Sequence, residues 1–180
     1  MLRITIPPVE LYDRAKRKFF YTKEQTLQLE HSLVSLSKWE SKWCKPFLSK
    51  QDKTREETID YIKCMTLTQH VDEEVYDRLS DENFKEINAY INAKMTATWF
   101  SKTENEKQNR EQVTAELIYY WMIGFNIPLE CQKWHLNRLM TLIRVCNEKN
   151  KPPKKKSQKE IMNHHKAVNA ARRKQHRKKG

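Results

Sequence analysis

The chain has 180 residues, of which 38% are hydrophobic, with five tryptophans and only two glycines. This length predicts one domain with its own core and a tail, and two glycines are too few for an all-β protein with many tight turns. No apolar run reaches the length of a membrane span, and the first residues lack the apolar region of a signal peptide. We therefore expect a cytoplasmic protein.

The formal net charge of +12 is concentrated near the C-terminus. Residues 151–180 contain 12 Lys or Arg and one Glu, whereas residues 1–150 contain 23 basic and 22 acidic residues. The sequence thus predicts an electrically balanced body over 1–150 and a basic tail over 151–180, helical or disordered.

The chain begins with a predicted strand pair. Residues 2–6 alternate and include β-branched side chains, which indicates a strand, and residues 17–21 suit its partner in an N-terminal β-hairpin. A capping-box pattern at Thr22 then predicts a helix that continues to about Cys44.

The middle of the chain predicts shorter helices. Thr54 begins a second capping box, Asp72 can cap a brief helical turn, and Ser80 or its neighbour can cap a further helix. Residues 95–100 fit either a strand or an ordered loop, and 101–110 are predicted to be an exposed connection.

Residues 112–147 are the most apolar stretch and predict two helices. Helix 113–123 is apolar on nearly all sides, which is typical of a central helix. Gly124 can end it in the left-handed conformation. Asn126 is then the expected cap of helix 128–147. The predicted fold is mainly α: a compact helical domain with a short N-terminal β-hairpin and a basic C-terminal helical tail.

Metal binding and disulfides are not favoured. Cys131 and His135 lie four residues apart, but no second ligand cluster accompanies them, so a structural histidine is the better interpretation. Free buried thiols are expected at all cysteines, because no export signal or paired spacing accompanies them. These cysteines are Cys44, Cys64, Cys131 and Cys146.

The sequence also gives no sign of an enzyme. It contains no glycine-rich phosphate loop and no nucleophile motif, and its acidic clusters fit helix caps and solvated faces. We expect no catalytic residues and no cofactor.

Two sets of residues are candidates for binding. Tryptophans serve most often in cores, but they also dominate binding hot spots; they are Trp39, Trp43, Trp99, Trp121 and Trp134. The basic tail can neutralise phosphates of a nucleic acid, or it can be a solvated extension that keeps an oligomer soluble or docks on an acidic protein. Its candidate residues are Lys154, Lys155, Lys156, Arg172, Arg173, Lys174, Arg177, Lys178 and Lys179.

Several stretches together resemble small proteins encoded among bacteriophage tail genes, in particular tail assembly chaperones. They are ITIPPVELYD near the N-terminus, LQLEHSLVSLSKWESKW at 27–43, IYYWMIGFNIPLECQKWHLNRLMTLIRVCN at 118–147, and NAARRKQ at 169–175. The similarity covers nearly the whole chain, but it is one of pattern and fixes no individual functional residue.

The resemblance implies a protein that binds the tape measure protein, shields its apolar surface in the host cytoplasm, helps to recruit tail tube protein, and is absent from the mature virion. Such shielding requires an apolar groove for an amphipathic helix. The expected walls are the helices over 25–43, 113–123 and 128–147. The expected contact residues are Trp39, Trp43, Trp121 and Trp134.

Two alternatives remain open at this point. The protein can be a phage nucleic-acid-binding accessory protein that uses residues 151–180, or a minor structural component of the tail. Self-association also remains open, and we expect no membrane partner.

Overall fold

The computed structural model describes residues 1–13, 17–100, 112–151, 162–163, 165–169 and 172–173. The chain forms two compact units, Met1–Asn147 and Glu148–Gly180. Helices predominate, which confirms the predicted mainly-α class.

The elements follow one another along the chain in this order. The strands are β1 (Leu2–Ile6), β2 (Glu10–Asp13), β3 (Lys18–Tyr21) and β4 (Gln25–Leu29). The helices are α1 (Leu33–Trp43), α2 (Arg55–Met65), α3 (Glu74–Asp77), α4 (Asp81–Asn92), α5 (Ala115–Gly124), a 3-10 helix (Leu129–Lys133) and α6 (Leu136–Asn150).

The strands pair differently from the predicted hairpin. β1 pairs antiparallel with β4, and β2 pairs antiparallel with β3 in a separate two-stranded sheet. The predicted pairing of residues 2–6 with 17–21 is therefore wrong. The reason is burial: Ile4 and Ile6 on β1 and Leu27 and Leu29 on β4 form the apolar face of one sheet and are almost fully buried.

The first helix begins later than predicted. The capping-box pattern at Thr22 predicts a helix there, but the Thr22 hydroxyl accepts the backbone N–H of Val9 at 2.8 Å. Residues 25–29 bury every second side chain and form β4. Helix α1 begins only after Ser32, whose side chain forms a capping box with Ser35.

The capping box predicted at Thr54 is confirmed, and of the two caps predicted for the later helix, Ser80 or Asp81, the structure has Ser80. Thr54 Oγ1 accepts the N–H of Glu57, whose carboxylate in turn accepts the N–H of Thr54 at 2.9 Å. Ser80 caps α4 in the same reciprocal way. The cap predicted at Asp72 is wrong, because α3 begins at Glu74 without a side-chain cap. Residues 95–100 form neither helix nor strand.

Helix α5 ends without a left-handed glycine. Gly124 is its last residue and has no positive φ, whereas Asn126 has a φ of 53°. The N–H of Ile127 donates to the carbonyl of Met122 at 2.8 Å, which closes the helix end. The predicted roles of Gly124 and Asn126 are thus corrected: asparagine supplies the left-handed residue at this C-terminus.

The predicted helix over 128–147 is two elements. A 3-10 helix covers Leu129–Lys133, and Trp134 is extended, so α6 begins at Leu136. The interruption arises because His135 pairs with Ser32 in an isolated β-bridge and the N–H of Leu136 donates to the carbonyl of His31 at 2.7 Å.

One core joins the first unit. Its members come from the β1–β4 sheet, from all the helices named above, and from three connections between helices, which contribute Phe47, Leu79 and Ile127. The largest fully buried side chains include Trp39, Tyr61, Met65, Ile118 and Met122. The core therefore holds α1, α2 and α5 together, and α6 packs beside them through Leu136, Leu139 and Ile143.

The second unit contains the basic tail. Residues 162–163, 165–169 and 172–173 are helical, and the Arg172 and Arg173 side chains are exposed. The other predicted basic residues lie outside the described residues: Lys154, Lys155, Lys156, Lys174, Arg177, Lys178 and Lys179.

Candidate binding groove

An open groove of about 610 Å³ runs between α5, α6 and the end of the segment after α4. Its lining consists of Phe100, Trp121, Phe125, Met140, Thr141, Ile143, Arg144 and Asn147. Five of these side chains are apolar, and the three polar ones lie on α6 with Met140 and Ile143. This is the composition expected of a site that takes an apolar ligand surface and fixes it with a few polar contacts.

A second cavity of about 240 Å³ continues the groove. The two cavities share Phe100 and Thr141, and the second is otherwise more polar. Its remaining lining residues are Lys94, Thr96, Thr98, Trp99 and Asn137. Trp99 is 78% exposed, the highest value among the large hydrophobic side chains of the described residues.

The groove exists because α5 is apolar on more faces than the core can cover. Ala115, Ile118 and Met122 are buried on one face. Trp121 is only half-buried and lines the groove, while Tyr120 and Ile123 are about 70% exposed on the outer face. An apolar surface of this kind on a folded protein is typical of an interaction site.

Asn137 fixes the segment that leads to Phe100. Its side-chain amide donates to the carbonyls of Ile91 and Ala93, both at 2.9 Å. The Arg144 guanidinium lies over the Phe100 ring, 4.4 Å from its centroid, at a distance suited to a cation–π contact. These contacts join the edge of the groove to α6.

The N-terminal end of α5 is held by a buried carboxylate. Glu40 on α1 accepts the N–H of Ala115 and that of Phe47, each at 2.7 Å. The Thr114 side chain caps the helix by accepting the N–H of Leu117. The groove wall that α5 provides is therefore fixed at its start by α1.

A cluster of buried histidines and tyrosines lies in the core. The rings of His31 and His135 are 5.1 Å apart, and His31 Nδ1 is 2.6 Å from the Tyr61 hydroxyl. Burial, together with the proximity of His135, lowers the pKa of His31 to about 4. Burial raises the pKa of Tyr61 well above its usual range. At neutral pH both groups are therefore uncharged, as their burial requires.

The structural role predicted for His135 is confirmed. It is buried, its Nε2 lies 3.0 Å from the carbonyl of Tyr90, and its ring packs edge-on against the Tyr90 ring. Cys131 is also buried, but it belongs to the 3-10 helix, so the two residues do not share one α-helical face. Among the described residues, no group of three or more His, Cys, Asp or Glu is placed to hold a metal ion.

The cysteines are less uniform than predicted. Cys44 is exposed at the C-terminal end of α1 and has a φ of 52°, so the expectation of burial is wrong for it. Cys64 and Cys146 are half-buried. Burial raises the pKa of the Cys64 thiol, which keeps it protonated at neutral pH.

The structure separates the four tryptophans predicted as contact residues. Trp121 lines the groove. Trp39 is only 1% exposed and donates Nε1–H to the carbonyl of Glu57 at 2.9 Å, so its burial removes it from any binding surface of this conformation. Trp43 stacks against Trp39 and donates to Asp60 at 2.9 Å. Trp134 is half-buried beneath the Arg138 guanidinium, 4.1 Å from the ring centroid.

Sequence reasoning missed most of the groove. Phe100 and Trp99 fall in a segment without a clear period, and Phe125 follows the helix end, where no periodic pattern identifies a face. Met140 gave no signal of its own, because a half-buried methionine on an amphipathic helix looks like any core residue. Its position beside Ile143 on α6 becomes informative only once α5 is placed.

A scan against protein-family models matches no family, and searches of curated proteins and solved structures find no match. In the part of the chain that the structure describes, no helix combines the length and the apolar character needed to cross a bilayer.

Proposed function

We propose that this protein is a bacteriophage tail assembly chaperone, a non-catalytic protein that binds the tape measure protein and shields it during tail assembly. The observation that carries the proposal is the open apolar groove beside α5 and α6. An amphipathic helix binds such a groove through apolar side chains spaced three or four residues apart. Binding buries these side chains away from water, which is favourable.

The dimensions and the lining support a helical client. A volume of about 610 Å³ accommodates a few side chains of one helix face, and the second cavity extends the contact along the same client. The polar groups of Thr141 and Asn147 can hydrogen-bond to polar side chains at the border of the client's apolar stripe.

The sequence that directly follows Phe100 supplies no apolar side chain to fill the groove. The residues that follow Phe100 in the sequence, 101–111, contain no hydrophobic side chain. Covering the groove with them would bury polar groups against Phe100 and Trp121, which is unfavourable. A separate apolar partner is the better occupant.

The proposed cycle is the one that the resemblance to tail assembly chaperones implies. The protein holds the tape measure protein in the host cytoplasm, tail tube protein displaces it as the tube forms, and it is not retained in the virion. Reversible contact suits a groove of this size, because a small apolar interface with a polar border gives moderate affinity.

Co-expression tests the proposal. Tagged full-length protein is produced together with the tape measure protein encoded in the same genome, and the soluble complex is purified. We expect the tape measure protein to remain soluble and to co-purify. A tape measure protein that aggregates to the same extent with and without its proposed chaperone would contradict the proposal.

Nucleic-acid binding is the second candidate, because Arg172 and Arg173 are exposed in a tail with strong positive charge. Phosphate contacts release counterions, so such binding weakens steeply between about 50 and 200 mM salt. Tight, sequence-selective binding of DNA or RNA that weakens with salt in this way and is lost in Arg172→Glu/Arg173→Glu would favour this function over the chaperone. Recovery of the protein from purified virions would favour a structural tail component.

A further inference from the structure

The β2–β3 ribbon is a second apolar surface, far along the chain from the groove residues. Among the described residues, β2 and β3 hydrogen-bond only to each other as strands, so each has an outer edge that no strand occupies. A two-stranded sheet is marginally stable in water by itself, and open edges are sites for strand addition.

One face of the ribbon is aromatic and exposed. Tyr12 lies directly opposite Phe19, and Tyr21 is two residues further along β3, so the three side chains share a face. They are 49%, 67% and 72% exposed, respectively. The rings of Tyr12 and Phe19 are 4.9 Å apart, and both can contact further aromatic rings on neighbouring strands.

The two strands carry opposite charge. β2 contains Glu10 and Asp13, whereas β3 begins with Lys18 and follows Arg17. Within the ribbon Asp13 is the register partner of Lys18. The acidic edge of one ribbon is thus complementary to the basic edge of another.

We propose that a second copy of this chain adds its β2 to the free edge of β3, antiparallel and in the register that the ribbon already uses. In antiparallel sheets the residues of a strand alternate between inward and outward backbone hydrogen-bonding groups. Repeating the same register therefore satisfies the outward groups of both strands. It also places Tyr12 of one copy beside Phe19 of the other.

The charges select this arrangement over symmetric ones. Directly opposed residues of an antiparallel pair share a face, so symmetric pairing of two β2 strands would oppose Glu10 with Tyr12 of the other copy and gain no ion pair, whereas the repeated register opposes Asp13 with Lys18. Symmetric pairing of two β3 strands would oppose Phe19 with Tyr21 of the other copy and likewise gain no ion pair. The selected contact joins different edges of the two copies, so it is heterologous and permits further copies to add.

A single nucleic-acid strand is a less suitable occupant. Aromatic rings beside Arg17 and Lys18 fit base stacking, but Glu10 is the register partner of Tyr21 and lies on the aromatic face. Its negative charge repels a phosphate backbone. The association inferred here does not depend on the groove and goes beyond the proposed chaperone function.

Position-specific crosslinking tests the register. Two full-length chains are prepared, one with Glu10→Cys and one with Tyr21→Cys, both with Cys44→Ser to remove the exposed native thiol. Opposed residues in an antiparallel pair have Cα atoms about 4.5–5.5 Å apart, which suits a disulfide. We expect a covalent dimer when the two chains are mixed and oxidised, and none from either chain alone.

Matched controls make the test decisive. Leu67→Cys, at another exposed position, should not crosslink to the Glu10→Cys chain. Sedimentation of the unsubstituted chain should show concentration-dependent association, which Phe19→Glu reduces about tenfold in affinity. A chain that stays monomeric at all concentrations, alone or with single-stranded DNA bound, would overturn the inference. So would equal crosslinking of each cysteine variant with itself.

Discussion

The carboxylate of Glu40 accepts the backbone N–H of Ala115 at 2.7 Å, although 75 residues separate the two in sequence. Its other oxygen accepts the N–H of Phe47 at the same distance. Glu40 is buried on α1, and Ala115 is the first residue of α5. A carboxylate suits this position because the N-terminus of a helix carries partial positive charge.

Removal of this carboxylate should destabilise the fold. We expect Glu40→Ala to lower the free energy of unfolding by about 3 kcal/mol, because two buried N–H groups lose their acceptor. Glu86→Ala, at an exposed position on α4, is the matched control and should change it by less than about 0.5 kcal/mol. Urea unfolding measures both values. Equal effects of the two substitutions would show that Glu40 does not hold α5.

The stability of the protein should fall on mild acidification because of His31. Its pKa is lowered to about 4 in the folded chain, whereas an unfolded histidine titrates near 6.5. Between these values the unfolded state binds more protons than the folded state. The contribution of His31 is therefore intact above about pH 6.5 and is lost as the pH falls toward about 4, with a slope of up to about 1.4 kcal/mol per pH unit.

The substitution His31→Asn isolates this effect. Asparagine does not titrate, so the slope of unfolding free energy against pH should become flatter between pH 4 and 6.5. His70→Asn, at an exposed site whose positive φ asparagine tolerates, should leave the slope unchanged. Chemical unfolding at a series of pH values measures the slopes. A His31→Asn slope equal to that of the unsubstituted chain would refute the assignment.

Substitutions at the end of α5 should change the free energy of unfolding in the opposite direction to that expected if Gly124 were left-handed. Gly124 has no positive φ, and a Cβ there would meet no atom within 4 Å. Gly124→Ala should therefore raise the free energy of unfolding by about 0.5–1 kcal/mol. Asn126→Ala should lower it by about 1 kcal/mol, because alanine is strained at a φ of 53°. Thermal unfolding of both variants measures which is the more stable. Gly124→Ala should be, and the order would be reversed if Gly124 were the left-handed residue.

Local signals in the sequence were sufficient where a few neighbouring residues decide the structure. The capping boxes at Thr54 and Ser80 are formed by side chains three residues apart, and both helices begin where the pattern predicts. The pattern at Thr22 is equally good but fails. Residues 25–29 form a strand there because pairing with β1 buries Leu27 and Leu29 on one face. Such a partner cannot be identified from local spacing.

The groove was predictable only in part for the same reason. The apolar character of α5 predicts that it lies centrally, and Trp121 does line the groove. Trp39 has the same chemistry but is covered by α2, which supplies the Glu57 carbonyl as its hydrogen-bond partner. Exposure depends on which helix packs on which face. The sequence therefore identifies candidate aromatic residues, but it does not distinguish those that line the groove from those buried in the core.

The proposed chaperone function requires that the groove beside α5 and α6 binds a helix of the tape measure protein. The most direct measurement is fluorescence anisotropy of labelled, overlapping peptides of the tape measure protein, titrated with full-length protein. The groove is blocked by Thr141→Arg, since Thr141 lines both cavities. The control is Thr58→Arg on α2, where the threonine hydroxyl donates to the carbonyl four residues earlier, as it does at Thr141.

At least one amphipathic peptide should bind the unsubstituted protein and the Thr58→Arg control with similar affinity. Its affinity for Thr141→Arg should be at least about tenfold lower, because the arginine occupies space that the client side chains need. Equal binding by Thr141→Arg and Thr58→Arg, or no binding by any peptide, would show that the groove does not bind the tape measure protein.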